Sequence, residues 1–232
     1  MKIKHGMILA AGLGKRMQPL TLKTPKPLVK VGKQTLLEKS INLLIKHGVD
    51  EIVINVHYLA DQIKNFINTQ KFNANITVSD EKNMLLDTGG GVLQGTKVFK
   101  EKPFFVVNPD TLWGDRYLNE LGDLEKIYFK SQKVCLLVVN KELSFDDSFE
   151  GDFNLKGDLI TKNTHNQYIY TGLQILNRNI FQLNTKKIFS MNEIWSHLIK
   201  KKELAGLISK QKFYHINTKE MYKKILDKKI TD

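Results

Sequence analysis

The amino-acid sequence predicts an α/β protein built on a Rossmann-like, mixed but mostly parallel sheet with helices on both faces. Three observations predict it. Apolar runs of strand length alternate with segments of helical period through the first half, the pattern of repeated βα units. The first of these runs ends in a glycine turn, Gly12-Leu13-Gly14, where a strand hands over to a loop that can approach a ligand. In the later part the alternation gives way to short strand-like runs, with Gly151 and Gly157 at the turns.

Met7–Ala11 reads as a short apolar strand. Leu36, Leu37, Ile41, Leu44 and Ile45 recur at helical spacing, so a helix is expected over Thr35–Lys46, closed by Gly48. Glu51–Val56 follows as a strand, Leu59–Ile67 as a helix and Asn75–Val78 as a strand. Gly90–Val98 reads as a helix, and Pro103–Val107 as a buried strand ending on Asn108-Pro109-Asp110. Val134–Val139 is strand-like, and Phe153–Leu155, Leu159–Thr161 and Tyr168–Leu176 form a meander. Helices are expected over Met191–Lys201 and Thr218–Leu226. Open parallel sheets bind ligands beyond the carboxyl ends of their strands. The Gly12 turn and Asp110 both follow such ends, so they are expected to share one pocket.

A chain of 232 residues, 41% apolar and 26% charged, has the composition of an ordinary globular protein with one substantial core. The formal charge of +12 raises the question of a nucleic-acid partner. The lysines are scattered rather than striped among exposed aromatics, so none is expected. Their densest cluster, from Lys200-Lys201-Lys202 to Lys228-Lys229, reads as solvated helix faces. A positive field attracts small phosphorylated substrates equally well. No run approaches the roughly 18 apolar residues of a membrane span, and no membrane partner or cleavable leader is expected. The single cysteine, Cys135, excludes an internal disulfide and suits the reducing cytoplasm, the expected location.

The segment Gly12-Leu13-Gly14-Lys15-Arg16-Met17 is followed by Thr24-Pro25-Lys26-Pro27-Leu28. Met17 stands where a dinucleotide fingerprint needs its third glycine, and no Walker loop is present. What the segment offers is backbone N–H groups unshielded by a Cβ and two cations, Arg16 and a proline-clamped Lys26. That is a cradle for nucleotide phosphates. Together with Asp87-Thr88-Gly89-Gly90-Gly91-Val92 and Val107-Asn108-Pro109-Asp110, it resembles the signature of the sugar-1-phosphate nucleotidyltransferases, or nucleoside-diphosphate-sugar pyrophosphorylases.

The resemblance implies the nucleotide-diphospho-sugar transferase fold in a single domain over 1–232, with a nucleotide-binding part (1–140) and a sugar-binding part (141–232). It is most similar to a branch that joins UTP to N-acetylmuramic acid 1-phosphate in cell-wall recycling. A nucleoside triphosphate and a sugar 1-phosphate are therefore the implied partners, in a monomer or small homo-oligomer. Heptose, mannose or glucose phosphates and phosphocholine remain alternatives, as does a catalytically silent nucleotide-binding subunit. A phosphate monoester has its second pKa near ~6 and is already ionised at neutral pH. The chemistry thus needs positioning and charge neutralisation rather than a base.

Carried onto this sequence, the resemblance makes Arg16, Lys26 and Asp110 the catalytic residues. It assigns the nucleotide to Leu9, Ala10, Ala11, Gly12, Gly14, Lys15, Arg16, Thr88, Gly89 and Gly90, the glycines lying flat against the base. The sugar falls to Asn108, Lys162, Thr171 and Gly172, although Lys162 lacks its usual neighbours. Glu193 and Trp195 are further sugar-lid candidates, with core packing as the other reading of Trp195. Asp110 and His215 are the implied metal ligands, for Mg²⁺ with Mn²⁺ as the alternative. Two departures stand out. Pro109 replaces the usual glycine or serine, and His215 stands where related chains carry a second aspartate, with Asn217 and Lys219 for a glycine and a proline. Imidazole is a poor ligand for Mg²⁺. His215 therefore reads as a ligand for a softer metal, as a contact to phosphate or water, or as a structural residue ahead of the helix N-cap Thr218.

Overall fold

A run such as Phe104-Phe105-Val106-Val107, apolar at every position, has to be buried on both faces of its sheet. The computed structural model, which describes residues 2–182 and 184–231, provides both faces. Its first half holds β1 (His5–Leu9), the short pair β2 (Lys30–Val31) and β3 (Gln34–Thr35), α1 (Leu36–His47), β4 (Glu51–Val56), α2 (Ala60–Thr69), β5 (Asn75–Asp80), α3 (Asp87–Gly95) and β6 (Phe104–Val107). Then come α4 (Leu118–Ser131), β7 (Val134–Asn140), β8 (Asn154–Lys156), β9 (Leu159–Thr161), β10 (Tyr168–Leu176), α5 (Met191–Lys201), β11 (Leu204–Ser209) and α6 (Lys219–Asp227).

Nine strands form one sheet in the order β5-β4-β1-β6-β10-β7-β11-β9-β8. Strands β5, β4, β1 and β6 run parallel, as do β7 and β11, while β10 lies antiparallel between β6 and β7. The sheet is mixed and mostly parallel, as expected, and β10 ties the later part of the chain into the middle of the earlier part. On β6, Phe105 and Val107 pack with Leu37, Ile41 and Leu44 of α1 and Leu121 and Leu124 of α4. Phe104 and Val106 point the other way, into a core with Val92 of α3 and Trp195 and Leu198 of α5. From β1 the chain runs outward through β4 and β5, then returns to the opposite side of β1 as β6. That reversal opens a crevice beyond the carboxyl ends of β1 and β6.

Helix α1 starts on a capping box, in which the Thr35 side chain accepts from the Glu38 N–H and the Glu38 carboxylate accepts from the Thr35 N–H. Such a cap contributes roughly 1 kcal/mol. Gly48 ends the helix in the left-handed region, at φ +105°. Thr218 caps α6 by accepting from Met221 N at 3.1 Å. Several boundaries differ from the sequence reading. The strand predicted over Met7–Ala11 is β1, His5–Leu9, because the Ala10 N–H leaves the ladder for Asn55 Oδ1 at 2.8 Å. The helix expected from Gly90 starts at Asp87 and stops at Gly95, with Thr96–Phe99 continuing as a 3₁₀ turn. Helix α4 and strand β11 have no counterpart in the sequence reading. Among the described residues no helix is long and apolar enough to cross a membrane.

Cys135 is fully buried in β7, and burial pushes its thiol up to about 12. The thiolate is the reactive form. The native protein is therefore expected to be inert to a disulfide reagent such as dithionitrobenzoate at pH 8, and to react stoichiometrically once unfolded in guanidinium. Rapid labelling of the native protein would contradict this burial.

Candidate active site

The loop after β1 depends on Gly14. Its φ is +63°, a left-handed conformation costly for other residues, and a Cβ there would lie 3.0 Å from Thr21 Cγ2 and 3.3 Å from Lys26 Cβ. Its carbonyl accepts from Met17 N at 2.9 Å and from Thr21 Oγ1 at 2.8 Å, which folds the turn back on itself. Among the described residues the N–H groups of Gly12, Leu13 and Gly14 make no hydrogen bond, so they remain for a ligand.

Lys26 opens a 3₁₀ turn whose entry is fixed by Pro25 (ψ 141°) and by Leu28 N donating to Pro25 O at 2.8 Å. Two prolines hold the backbone of one lysine. Its Nζ reaches Asp110 Oδ2 at 2.7 Å. Asp110 follows β6, and its own carbonyl accepts from Ile216 N at 2.7 Å. His215 Nε2 lies 3.2 Å from the same Oδ2, with its ring stacked on Phe213 (centroids 5.8 Å apart, planes 10°). The side chains of Lys26, Asp110 and His215 are only 15%, 22% and 18% exposed. Burial alone would raise the Asp110 carboxyl, but the charges and hydrogen bonds of Lys26 and His215 outweigh it and hold the group well below the usual carboxylate range. Among the described residues Asp110 Oδ1 is buried without a hydrogen-bond partner.

A cleft of about 540 Å³ opens over this ion pair. Leu9 at the end of β1 and Ala11, Gly12, Gly14, Lys15 and Arg16 of the loop after it line the cleft, together with Lys26, Thr88, Asn108 and Asp110. Leu85 and Ile188 add an apolar wall. Other residues singled out in the sequence do not line the cleft. The Ala10 N–H is held by Asn55. Gly89 and Gly90 do not face the cleft: their N–H groups donate to Phe189 O at 2.9 and 3.1 Å. Added Cβ atoms there would meet the Phe189 ring and Lys187 O at 2.4 and 2.3 Å, so these glycines serve close packing of α3. Thr171 donates to Leu137 O and Gly172 accepts from Asn108 N at 2.7 Å, behind Asn108. Lys162 is exposed above the Phe153 ring at 5.8 Å, away from the cleft. Trp195 is a core residue, donating to Gln174 Oε1 at 3.0 Å. Glu193 pairs on the surface with Lys186.

Sequence reasoning missed a buried bridge in the wall of the cleft, made by Asn55 and Glu81. Asn55 accepts from Ala10 N and donates to Glu81 Oε1 at 2.6 Å, while Glu81 Oε2 accepts from Leu86 N at 3.0 Å. The bridge joins the ends of β1, β4 and β5 to the start of α3. It also explains Gly91, where a Cβ would lie 2.8 Å from both Asn55 Nδ2 and Glu81 Oε1. Gly91→Ala is expected to lower stability by about 1–3 kcal/mol, as overpacking does, read as a shift in the urea midpoint. A neutral result would show that the bridge yields without cost.

Among the described residues no group of three or more His, Cys, Asp or Glu side chains is placed to hold a metal by itself. The unpartnered Asp110 Oδ1 fits a different case, a hard cation that takes one or two carboxylates and completes its shell with phosphate oxygens and water.

The comparison that decides the class covers the stretch carrying these features: residues 5–144 match the Nucleotidyl transferase family. The chain belongs to that family. It is similar to the N-acetylmuramate alpha-1-phosphate uridylyltransferase of Caulobacter vibrioides, 29% identical over 223 residues, with 92% of this chain and 91% of that protein covered. The enzyme of the same name from Neisseria meningitidis serogroup B is 42% identical over 107 residues, 46% of each chain. Among solved structures, UDP-glucose pyrophosphorylase from Acinetobacter baumanii shares the fold, with a TM-score of 0.80 at 19% identity over 96% of this chain and 92% of that one. The protein is thus a nucleotidyltransferase of the sugar-1-phosphate class, whose members generally use a divalent metal ion.

Proposed function

We propose that this nucleotidyltransferase joins UTP to N-acetylmuramic acid 1-phosphate, giving UDP-N-acetylmuramic acid and pyrophosphate. The observation that carries the substrate is the similarity to the Caulobacter vibrioides uridylyltransferase, which extends over 92% of this chain and so past the shared phosphate motifs. On this reading the enzyme serves peptidoglycan recycling in the cytoplasm.

The cleft supports that chemistry. An oxygen of the sugar phosphate forms a new bond to the α-phosphorus as the α–β bridging P–O bond breaks, and the electron pair leaves with pyrophosphate. The nucleophile is already ionised at neutral pH, with its second pKa near ~6, so no side chain has to take a proton. The unbonded N–H groups of Gly12, Leu13 and Gly14 suit the triphosphate oxygens, and Arg16, on the cleft rim, suits the departing pyrophosphate with its planar fork. Lys26, pinned by Pro25 and Pro27, keeps its ammonium where charge develops in the transition state. Asp110 would hold Mg²⁺, which neutralises triphosphate charge when bound. Thr88 and Asn108 line the cleft, Asn108 donating from its N–H to Gly172 O, which suits Thr88 to border the nucleotide and Asn108 the sugar.

The test is a matrix of kcat/KM values: UTP, GTP, CTP, ATP and dTTP against N-acetylmuramic acid, glucose and mannose 1-phosphates. The proposal expects the UTP and N-acetylmuramic acid 1-phosphate pair to exceed every other. Preference for another pair would keep the class and overturn the substrate.

A further inference from the structure

The buried bridge of Asn55 and Glu81 has a fixed hydrogen-bond polarity. Both residues are only 3% exposed, yet both stand in the wall of the cleft. The two ends of the bridge meet backbone donors: Ala10 N–H on Asn55 Oδ1 at 2.8 Å and Leu86 N–H on Glu81 Oε2 at 3.0 Å. Between them Asn55 Nδ2 donates to Glu81 Oε1 at 2.6 Å. Three donors thus meet three acceptor oxygens. A buried donor deprived of its acceptor is strongly unfavourable, so this order is hard to change. The backbone of Glu81 is anchored as well, its N–H donating to Val56 O at 2.8 Å and its carbonyl accepting from Met84 N at 2.9 Å.

What the bridge joins is what a nucleotide in this cleft needs aligned. Ala10 leads into Ala11, Gly12 and Gly14, the loop whose N–H groups suit the triphosphate. Leu86 stands between Leu85 and the pair Asp87 and Thr88, all three of which line the cleft. Asp87 has φ +61°, a left-handed conformation uncommon outside glycine, so the chain turns sharply just after the N–H that Glu81 holds. We infer that Asn55 and Glu81 are positioning residues for the nucleotide. Acting through Ala10 and Leu86, they set the spacing between the phosphate loop and the cleft wall at 85–88. This rests on the nucleotide occupying the cleft as in the proposed function.

The polarity supplies the test. Glu81→Gln puts an amide against an amide, and no rotation of the two avoids setting donor on donor at Ala10, at Leu86 or within the bridge. Asn55→Asp alone sets two carboxyl groups face to face. The double variant Asn55→Asp/Glu81→Gln reverses the central bond and again places every donor on an oxygen, with the same shape and net charge. Each single variant is expected to raise the Kd and KM for UTP roughly tenfold or more, with the KM for the sugar 1-phosphate little changed. The double variant is expected to return both to within about threefold of wild type. A merely structural role would lower kcat with the active fraction and leave KM alone. Single variants with normal UTP affinity, or a double variant no better than the worse single, would overturn the inference. If neither single variant folds, the double decides: near-normal UTP affinity supports the inference, and failure to fold or weak binding overturns it. Calorimetric Kd values need no turnover, so binding of UTP without transfer to any sugar phosphate would overturn the proposed function and leave this inference standing.

Discussion

Lys26→Ala is expected to lower kcat by roughly 10²–10³-fold, the cost of removing one preorganised charge from a transition state that is mostly electrostatic. The loss should fall on kcat more than on KM, because on the proposed reading Arg16 and the loop N–H groups still bind the triphosphate ground state. The same change strips the Asp110 carboxylate of its closest partner, 2.7 Å away. Breaking a fully buried pair costs about 3–5 kcal/mol. The residual exposure of these side chains, 15% and 22%, brings the expected loss to roughly 1–3 kcal/mol. Lys26→Arg restores charge without the compact ammonium and should recover stability better than rate. Steady-state kinetics beside urea unfolding would separate the two losses. A variant with nearly normal kcat would remove Lys26 from the chemistry.

Asp110→Asn is expected to cost a similar factor in rate, about 10²–10³-fold, since on the proposed reading the carboxylate both pairs with Lys26 and faces the cation. Its pH dependence carries a definite sign. The folded state holds this carboxyl below its ordinary value, near ~3.9 in an unfolded chain, so the ionised form favours folding. That contribution is complete above ~4 and is lost as pH falls through the lower folded-state value. The stability gap between wild type and Asp110→Asn should therefore be full at pH 7 and narrow progressively below about pH 4, read from urea midpoints at several pH values. A gap that stays constant into acid would mean that Lys26 and His215 do not hold the charge.

The fold and the residues that meet at the centre of the candidate site were legible for the same reason: both are local signals. Strands apolar at every position, such as 104–107, announce a sheet covered on both sides, and the apolar spacing of Leu36, Leu37, Ile41, Leu44 and Ile45 with Gly48 after it marks helix α1. Arg16 and Lys26 sit in short motifs whose spacing carries their chemistry. Helix α4 was hidden by polar residues on its buried face. Glu120 accepts from Ser209 Oγ and Lys210 N at 3.0 Å, and Glu125 accepts from Ile3 N at 2.7 Å, pairings distant in sequence. The apolar spacing of Leu118, Leu121, Leu124 and Tyr128 was the available clue. Strand β11 was broken to the eye by Gly206, where an added Cβ would crowd Ile160 Cδ1 at 2.5 Å.

The Asn55–Glu81 bridge exists only in three dimensions, though one polar residue in the apolar strand Ile52–Val56 was a signal. The triple glycine was read as a surface for the base. In the structure it lets α3 approach Phe189 on one side and Asn55 and Glu81 on the other. His215 was placed by analogy of position, and only the geometry reveals that its Nε2 faces Asp110 and that Asn217 reaches the cleft.

The most direct test of the account follows the phosphorus atoms. UTP labelled at the α-phosphorus is incubated with N-acetylmuramic acid 1-phosphate and Mg²⁺, beside the same reaction with γ-labelled UTP. The account predicts that the α label enters a phosphatase-resistant UDP-sugar only when the sugar phosphate is present, that the γ label leaves as pyrophosphate, and that Lys26→Ala nearly abolishes both. Retention of all label in UTP, with this and every other nucleotide and sugar phosphate pair, would contradict it.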